Sequence, residues 1–192
     1  HEIISWEGKL RPSLEDTGIY PRVENGELPI WIVTGGTPKS SLRAGAFGLP
    51  ITYAIIGGNP RRFARNIEIY KSIALSYGHD PSKLPIGVHS WGYVAETDEQ
   101  AKREFFPSLK AHQDIIGKER GWPAFDENAF EREIGSHGAI YLGSPETVAQ
   151  KIIDTIETLG INRFMIHTPV GSMPHEYVMN SIRLFGERVK PI

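Results

Sequence analysis

Two adjacent stretches share one syntax: Leu28 to Gly45 reads LPIWIVTGGTPKSSLRAG, and Leu49 to Asn66 reads LPITYAIIGGNPRRFARN. In each, an apolar run ends in two glycines, a capping residue and a proline, and a helical pattern then begins. A strand that turns on glycine into a helix, and does so twice in succession, is the repeating unit of a parallel α/β fold. Strands of such sheets read as near-continuous apolar runs because both faces are covered. Four runs fit: Ile30 to Thr34, Ile51 to Ile56, Ile86 to Ala95 and Arg163 to Thr168.

Helical patterns follow the runs. After GGNP, the positions Phe63, Ile67, Tyr70, Ala74 and Tyr77 recur at helical spacing, and Gly78 stands where a terminating glycine belongs. Thr97 and Gln100 form a T-x-x-Q capping box, from which Ala101, Phe105, Leu109, His112 and Ile116 continue one face. Ser144 followed by Pro145 predicts a further start, with Val148, Ile152, Ile156 and Leu159 as its buried stripe. Val178, Ile182, Phe185 and Val189 predict the last helix. Residues 1–28, interrupted by Pro12 and Pro21, show no sustained period and read as an irregular leading segment. The third and fourth strands start far apart, at Ile86 and Arg163, so an insertion lies between them. Its least patterned part, residues 121–142, reads as an inserted loop: a lid, an interface segment or a plain surface excursion.

Composition removes several function classes. A formal net charge of -2, from 21 basic and 23 acidic residues, gives no electrostatic case for nucleic acid or a membrane surface. There is no cysteine, which excludes disulfides and thiolate metal sites and agrees with a cytoplasmic enzyme. No apolar stretch approaches the roughly 18 residues of a membrane span. Chemistry must therefore come from the strand ends. Gly35 and Gly36 let backbone amides approach a ligand, the helix beginning at Pro38 aims its dipole at the same place, and Thr37, with Ser40 or Ser41, offers a hydroxyl to an anion. Equally, the glycines serve only to turn the chain and Thr37 only to cap the helix. The pattern is neither G-x-x-x-x-G-K-[ST] nor G-x-G-x-x-G. The second copy, Gly57, Gly58 and Asn59, reads as structural. His89 and His167 fall inside strands, where an imidazole is either hydrogen-bonded or functional. No H-E-x-x-H or H-x-x-x-H spacing indicates metal catalysis, and Arg61 and Arg62 read as a solvated helix face.

The words WEGKLR, GIYPR, LPIWIVTGGTPKSSLRAGAFGLPITYAIIGGNPRRF, IGVHSWGYVAETDEQA and YLGSPETVAQKI, in that order, resemble the bacterial luciferase-like flavin-dependent oxidoreductases. The resemblance covers nearly the whole chain but only the second half of the family's sequence. It implies a (β/α)8 TIM barrel of which residues 1–192 supply strands five to eight, with the insertion after the seventh. It further implies reduced FMN, or the deazaflavin F420 in other branches, at the C-terminal mouth of the barrel. The implied activity is monooxygenation of a small organic substrate with oxygen, fed by a separate flavin reductase; the alternatives are an F420-dependent reductase and a non-catalytic flavin-binding relative. By the same carry-over Gly35, Gly36 and Thr37 hold the cofactor phosphate, and His89 and Trp91 occupy the catalytic positions. Sulfonate-oxidising members carry an arginine and a histidine on this strand, and the pair His89 and Trp91 departs from that pattern. Four strands cannot close a barrel, so the chain alone is expected to be inactive and to form a homo-oligomer through its open strand edges.

Overall fold

The computed structural model describes residues 3–24, 26 and 28–192. It divides into two compact units, residues 1–30 and 31–192. The first contains an antiparallel pair, β1 (Ile4–Trp6) and β2 (Leu14–Thr17). This segment is thus not irregular throughout. Its strands are exposed and are tied by Ser5 Oγ, which accepts from the Asp16 amide at 3.1 Å, so no apolar period announced them.

The second unit is a parallel α/β sheet. Its strands are β3 (Ile32–Thr34), β4 (Ile51–Ala54), β5 (Ile86–Val94), β6 (Tyr141–Gly143) and β7 (Arg163–His167). β3 pairs with β4, β4 with β5 and β5 with β7, all in parallel, and β6 pairs with Gly92, Tyr93 and Val94 at the far end of β5. The helices are α1 (Pro38–Phe47), α2 (Ala64–Ser76), α3 (Asp98–Arg120), α4 (Glu127–Ile134), α5 (Pro145–Leu159) and α6 (His175–Leu184). Caps fall where the sequence places them. Thr97 Oγ1 accepts from the Gln100 amide and Ser144 Oγ from the Thr147 amide. Gly78, at φ +82°, ends α2, with the His79 amide reaching back to the Ala74 carbonyl. Among the described residues no helix is long and apolar enough to cross a membrane.

One face of the sheet is sealed by helices. Ile51, Tyr53, Ile55, Phe63, Ile67, Tyr70 and Val88 form a core beneath α1 and α2. Tyr93, Phe105, Leu109 and Phe130 form a second at the insertion, and Val94, Tyr141, Val148, Ile152 and Leu184 a third. The opposite face is only partly covered: Val33 is 65% and Ile56 56% exposed. β3, read as buried on both faces, thus leaves Val33 open, whereas the far end of β5 is packed on both, Tyr93 against α3 and Val94 against α5 and α6. In barrels that second face carries the inward side chains that pack in layers.

Two elements depart from the sequence reading. Residues 121–142 hold α4 and the start of β6 rather than only a loop. Asp126 caps α4 by accepting from the Ala129 amide, but only Phe130 is fully buried on this short helix, so no stripe signalled it. The last helix buries Ser181 and Leu184 while Ile182 is 51% exposed. A π-helical turn, Phe185–Val189, follows α6, so one 3.6-residue stripe cannot run through to Val189.

Candidate active site

β5 is buried along its whole length except at two positions two residues apart, His89 and Trp91. Alternation places both side chains on one face of the sheet, the face on which Tyr93 packs against Phe105 of α3. Register adds the neighbours: Ala54 lies beside His89 on β4, and Met165 and His167 lie beside His89 and Trp91 on β7. The rings of Trp91 and His167 are 4.3 Å apart, those of His89 and His167 5.3 Å, and His112 from α3 stands 5.8 Å from Trp91. Burial and then the neighbouring His167 push the His89 pKa below the ordinary imidazole value. Among the described residues neither ring has a hydrogen-bond partner, so the nitrogens of His89 and His167 are open to a ligand.

Trp91 also lines a cleft of about 610 Å³ at the C-terminal ends of β4 and β5. Ile56, Trp122 and Phe125 give it apolar walls, while Arg62, Arg120 and Glu133 bring charge. The volume is that of a small-molecule site.

The first glycine turn follows β3. Thr34 Oγ1 accepts from the Gly36 amide at 3.1 Å and the Thr37 amide at 3.2 Å, and Asn66 Nδ2 donates to the Gly36 carbonyl at 2.7 Å. Gly36 takes φ +106°, and a Cβ there would lie 2.8 Å from the Phe63 ring. Gly35 is different: a Cβ on it would meet nothing within 4 Å. Thr37 is the N-cap residue by backbone, yet its side chain makes no capping bond, and the first turn of α1 has no acidic residue. Ser41 is fully buried and hydrogen-bonded to the Tyr53 hydroxyl, which removes it from the candidate ligands. The turn keeps an exposed glycine, a free hydroxyl and a helix N-terminus without acid in its first turn, features that suit a phosphate.

The second turn is closed from a distance. Both Glu133 carboxylate oxygens lie 3.0 Å from the Gly58 amide, and Oε2 also accepts from the Ala139 amide at 3.2 Å. Arg62 Nη2 donates to the Gly57 carbonyl and Asn59 Oδ1 accepts from the Arg61 amide. Behind it, Lys151 Nζ donates to the carbonyls of Ile134, Gly135 and Ile140 at 3.0, 2.6 and 2.7 Å, and burial lowers its pKa to about 8 against the pull of Glu133. Sequence reading named neither Glu133 nor Lys151. A lone Glu and a lone Lys on amphipathic helices carry no spacing that distinguishes them from solvated charges.

A family model described as luciferase-like monooxygenase matches residues 1–163. The alkanal monooxygenase alpha chain of Aliivibrio fischeri is 25% identical over 198 residues, covering 90% of this chain and 54% of that protein. The monooxygenase RslO1 of Streptomyces bottropensis superposes with a TM-score of 0.76 at 22% identity, over 100% of this chain and 56% of its own. The oxygenating constituent of 3,6-diketocamphane monooxygenase of Pseudomonas putida, solved with FMN, gives 0.64 at 20%, over 99% and 58%. An F420-dependent secondary alcohol dehydrogenase gives 0.63 at 16%, over 98% and 56%. The chain thus spans about half the length of the relatives it matches. With its parallel sheet in strand order, a partly covered inner face and this match over most of its length, the chain belongs to the luciferase-like monooxygenase family and forms part of that family's (β/α)8 barrel.

Proposed function

We propose that this chain is the C-terminal half of an FMN-dependent monooxygenase that oxidises a small organic substrate with oxygen. The observation that carries the reading is the convergence of His89, Trp91 and His167 on one face of the sheet, beside the cleft at the strand ends. Reduced FMN, when bound, supplies the electrons for oxygen chemistry. Gly35 and the Thr37 hydroxyl hold its phosphate, with the α1 N-terminus behind them. The Gly36 and Thr37 amides are shared with Thr34 Oγ1, so the strand's own threonine pre-shapes the turn.

Trp91 offers a flat apolar surface for a ring system and keeps water from it. His89, its pKa lowered, is neutral at pH 7, so its ring presents one N–H and one acceptor nitrogen rather than two donors. The F420-dependent relative among the structural neighbours supports a second reading, hydride chemistry in the same mouth.

The test uses the full-length protein titrated separately with FMN and F420. FMN is expected to bind, and Gly35→Val, whose Cβ meets no neighbouring atom within 4 Å, is expected to weaken it about tenfold, about 1.4 kcal/mol. His89→Ala and Trp91→Phe are expected to lose turnover at unchanged FMN content. Binding of F420 alone selects the second reading, and normal rates in both variants reduce the pair to packing.

A further inference from the structure

The cleft beside Trp91 carries a charge pattern that a flavin ring leaves unused. We propose that it takes a substrate with an apolar, ring-bearing body and an anionic group, a carboxylate above all, and that Arg62 and Arg120 hold that group. The inference rests on reading the cleft as the substrate pocket of a flavin-dependent oxidoreductase.

Some cations elsewhere on the molecule are matched by acids: Lys102 meets Glu131, and Arg188 meets both Glu96 and Glu146. The two cleft arginines are held by neutral partners instead. Arg62 donates to the Gly57 carbonyl at 2.9 Å, and its guanidinium lies 5.3 Å from the Phe63 ring centre. Arg120 lies 5.3 Å from that of Trp122. Among the described residues neither forms an ion pair. The acid in the lining, Glu133, has both oxygens on the amides of Gly58 and Ala139. Two arginines thus line a concavity whose acid, Glu133, is tied to backbone amides and forms no ion pair with either of them, and each guanidinium lies beside an aromatic ring.

An anion that enters the cleft beside Trp91, Trp122 and Phe125 gives up part of its water to these walls, and a nearby guanidinium offsets that loss. Its planar fork matches a carboxylate. The walls at the same time favour an aryl or alkyl body. The cofactor phosphate is already assigned to the other turn, after β3, which leaves these cations to the substrate.

The experiment titrates the full-length protein with 2-naphthoate and with 2-naphthamide, its uncharged analogue, following quenching of tryptophan fluorescence; FMN is titrated in parallel. Naphthoate is expected to bind about tenfold more tightly than the amide, and the preference to shrink as salt is raised. Arg62→Gln and Arg120→Gln are each expected to erase most of that preference with FMN affinity within about twofold. Both side chains are exposed, so the variants keep the fold. Equal affinity for the two probes, or a preference that survives both substitutions, overturns the proposal. So does a loss of FMN affinity with naphthoate binding intact, since the arginines then serve the cofactor. A protein that prefers naphthoate in this way but binds neither FMN nor F420 refutes the flavin reading and leaves the anion site standing.

Discussion

The two glycine turns begin from the same words and end in opposite states. The turn after β3 is closed by its own strand, through Thr34, and keeps Gly35 and the Thr37 hydroxyl open. The turn after β4 is closed by Glu133, 75 residues away, and its glycine carbonyl by Arg62. An amide at a strand end is a donor to whatever acceptor the fold delivers. Whether it remains available to a ligand is decided by distant residues as much as by the turn itself. In the second turn the molecule has supplied its own carboxylate.

The comparison breaks most readily at Glu133. Glu133→Ala strips the acceptor from the Gly58 and Ala139 amides and is expected to cost about 2–3 kcal/mol in chemical denaturation; a change below about 0.5 kcal/mol would mean that the second turn stands alone. Next comes a contrast inside the first turn. Gly36→Ala must hold φ +106° with its Cβ against Phe63, at about 2 kcal/mol, whereas Gly35→Ala has open space and is expected to stay within about 0.5 kcal/mol. Equal effects at the two positions would remove the distinction between a shaping and an exposed glycine. A third test is the pH dependence of the second turn's support. Burial lowers the Lys151 pKa from 10.5 to about 8, so between those values the unfolded chain binds more protons. Stability should therefore rise with pH through that window, by up to about 3 kcal/mol. The rise should vanish in Lys151→Met and persist in Gly35→Ala; a flat profile in the parent protein would show that Lys151 titrates alike folded and unfolded.

What the sequence made legible was what short-range pattern encodes. The apolar runs around Ile51 to Ile56 and Ile86 to Ala95, and the caps at Thr97 and Ser144, are local signals, and each lands within a few residues of an observed boundary. His89 and Trp91 were legible as a same-face pair because strand alternation is local too. The contents of 121–142 were not, since α4 rests on one buried phenylalanine and β6 has three residues. The partners of Gly58 were also hidden: a contact between Gly58 and Glu133 leaves no trace in either residue's neighbours. Nor did spacing separate Arg62 from a solvated charge, because what sets it apart is an aromatic ring beneath it and a cleft beside it.

β5 serves two ladders in succession. Its first residues pair with β4 and β7, and Gly92 to Val94, directly after Trp91, pair with β6, the strand by which the insertion rejoins the sheet. Gly92 admits no side chain at that junction, where a Cβ would lie 2.5 Å from Ile166 and 2.7 Å from the Tyr141 carbonyl. The cleft's floor and the return leg of the insertion are therefore spliced onto one continuous backbone. Amide protons on either side of the junction should exchange with solvent at a common slow rate. A displacement of α4 at the cleft is therefore expected to leave the β5–β6 ladder paired.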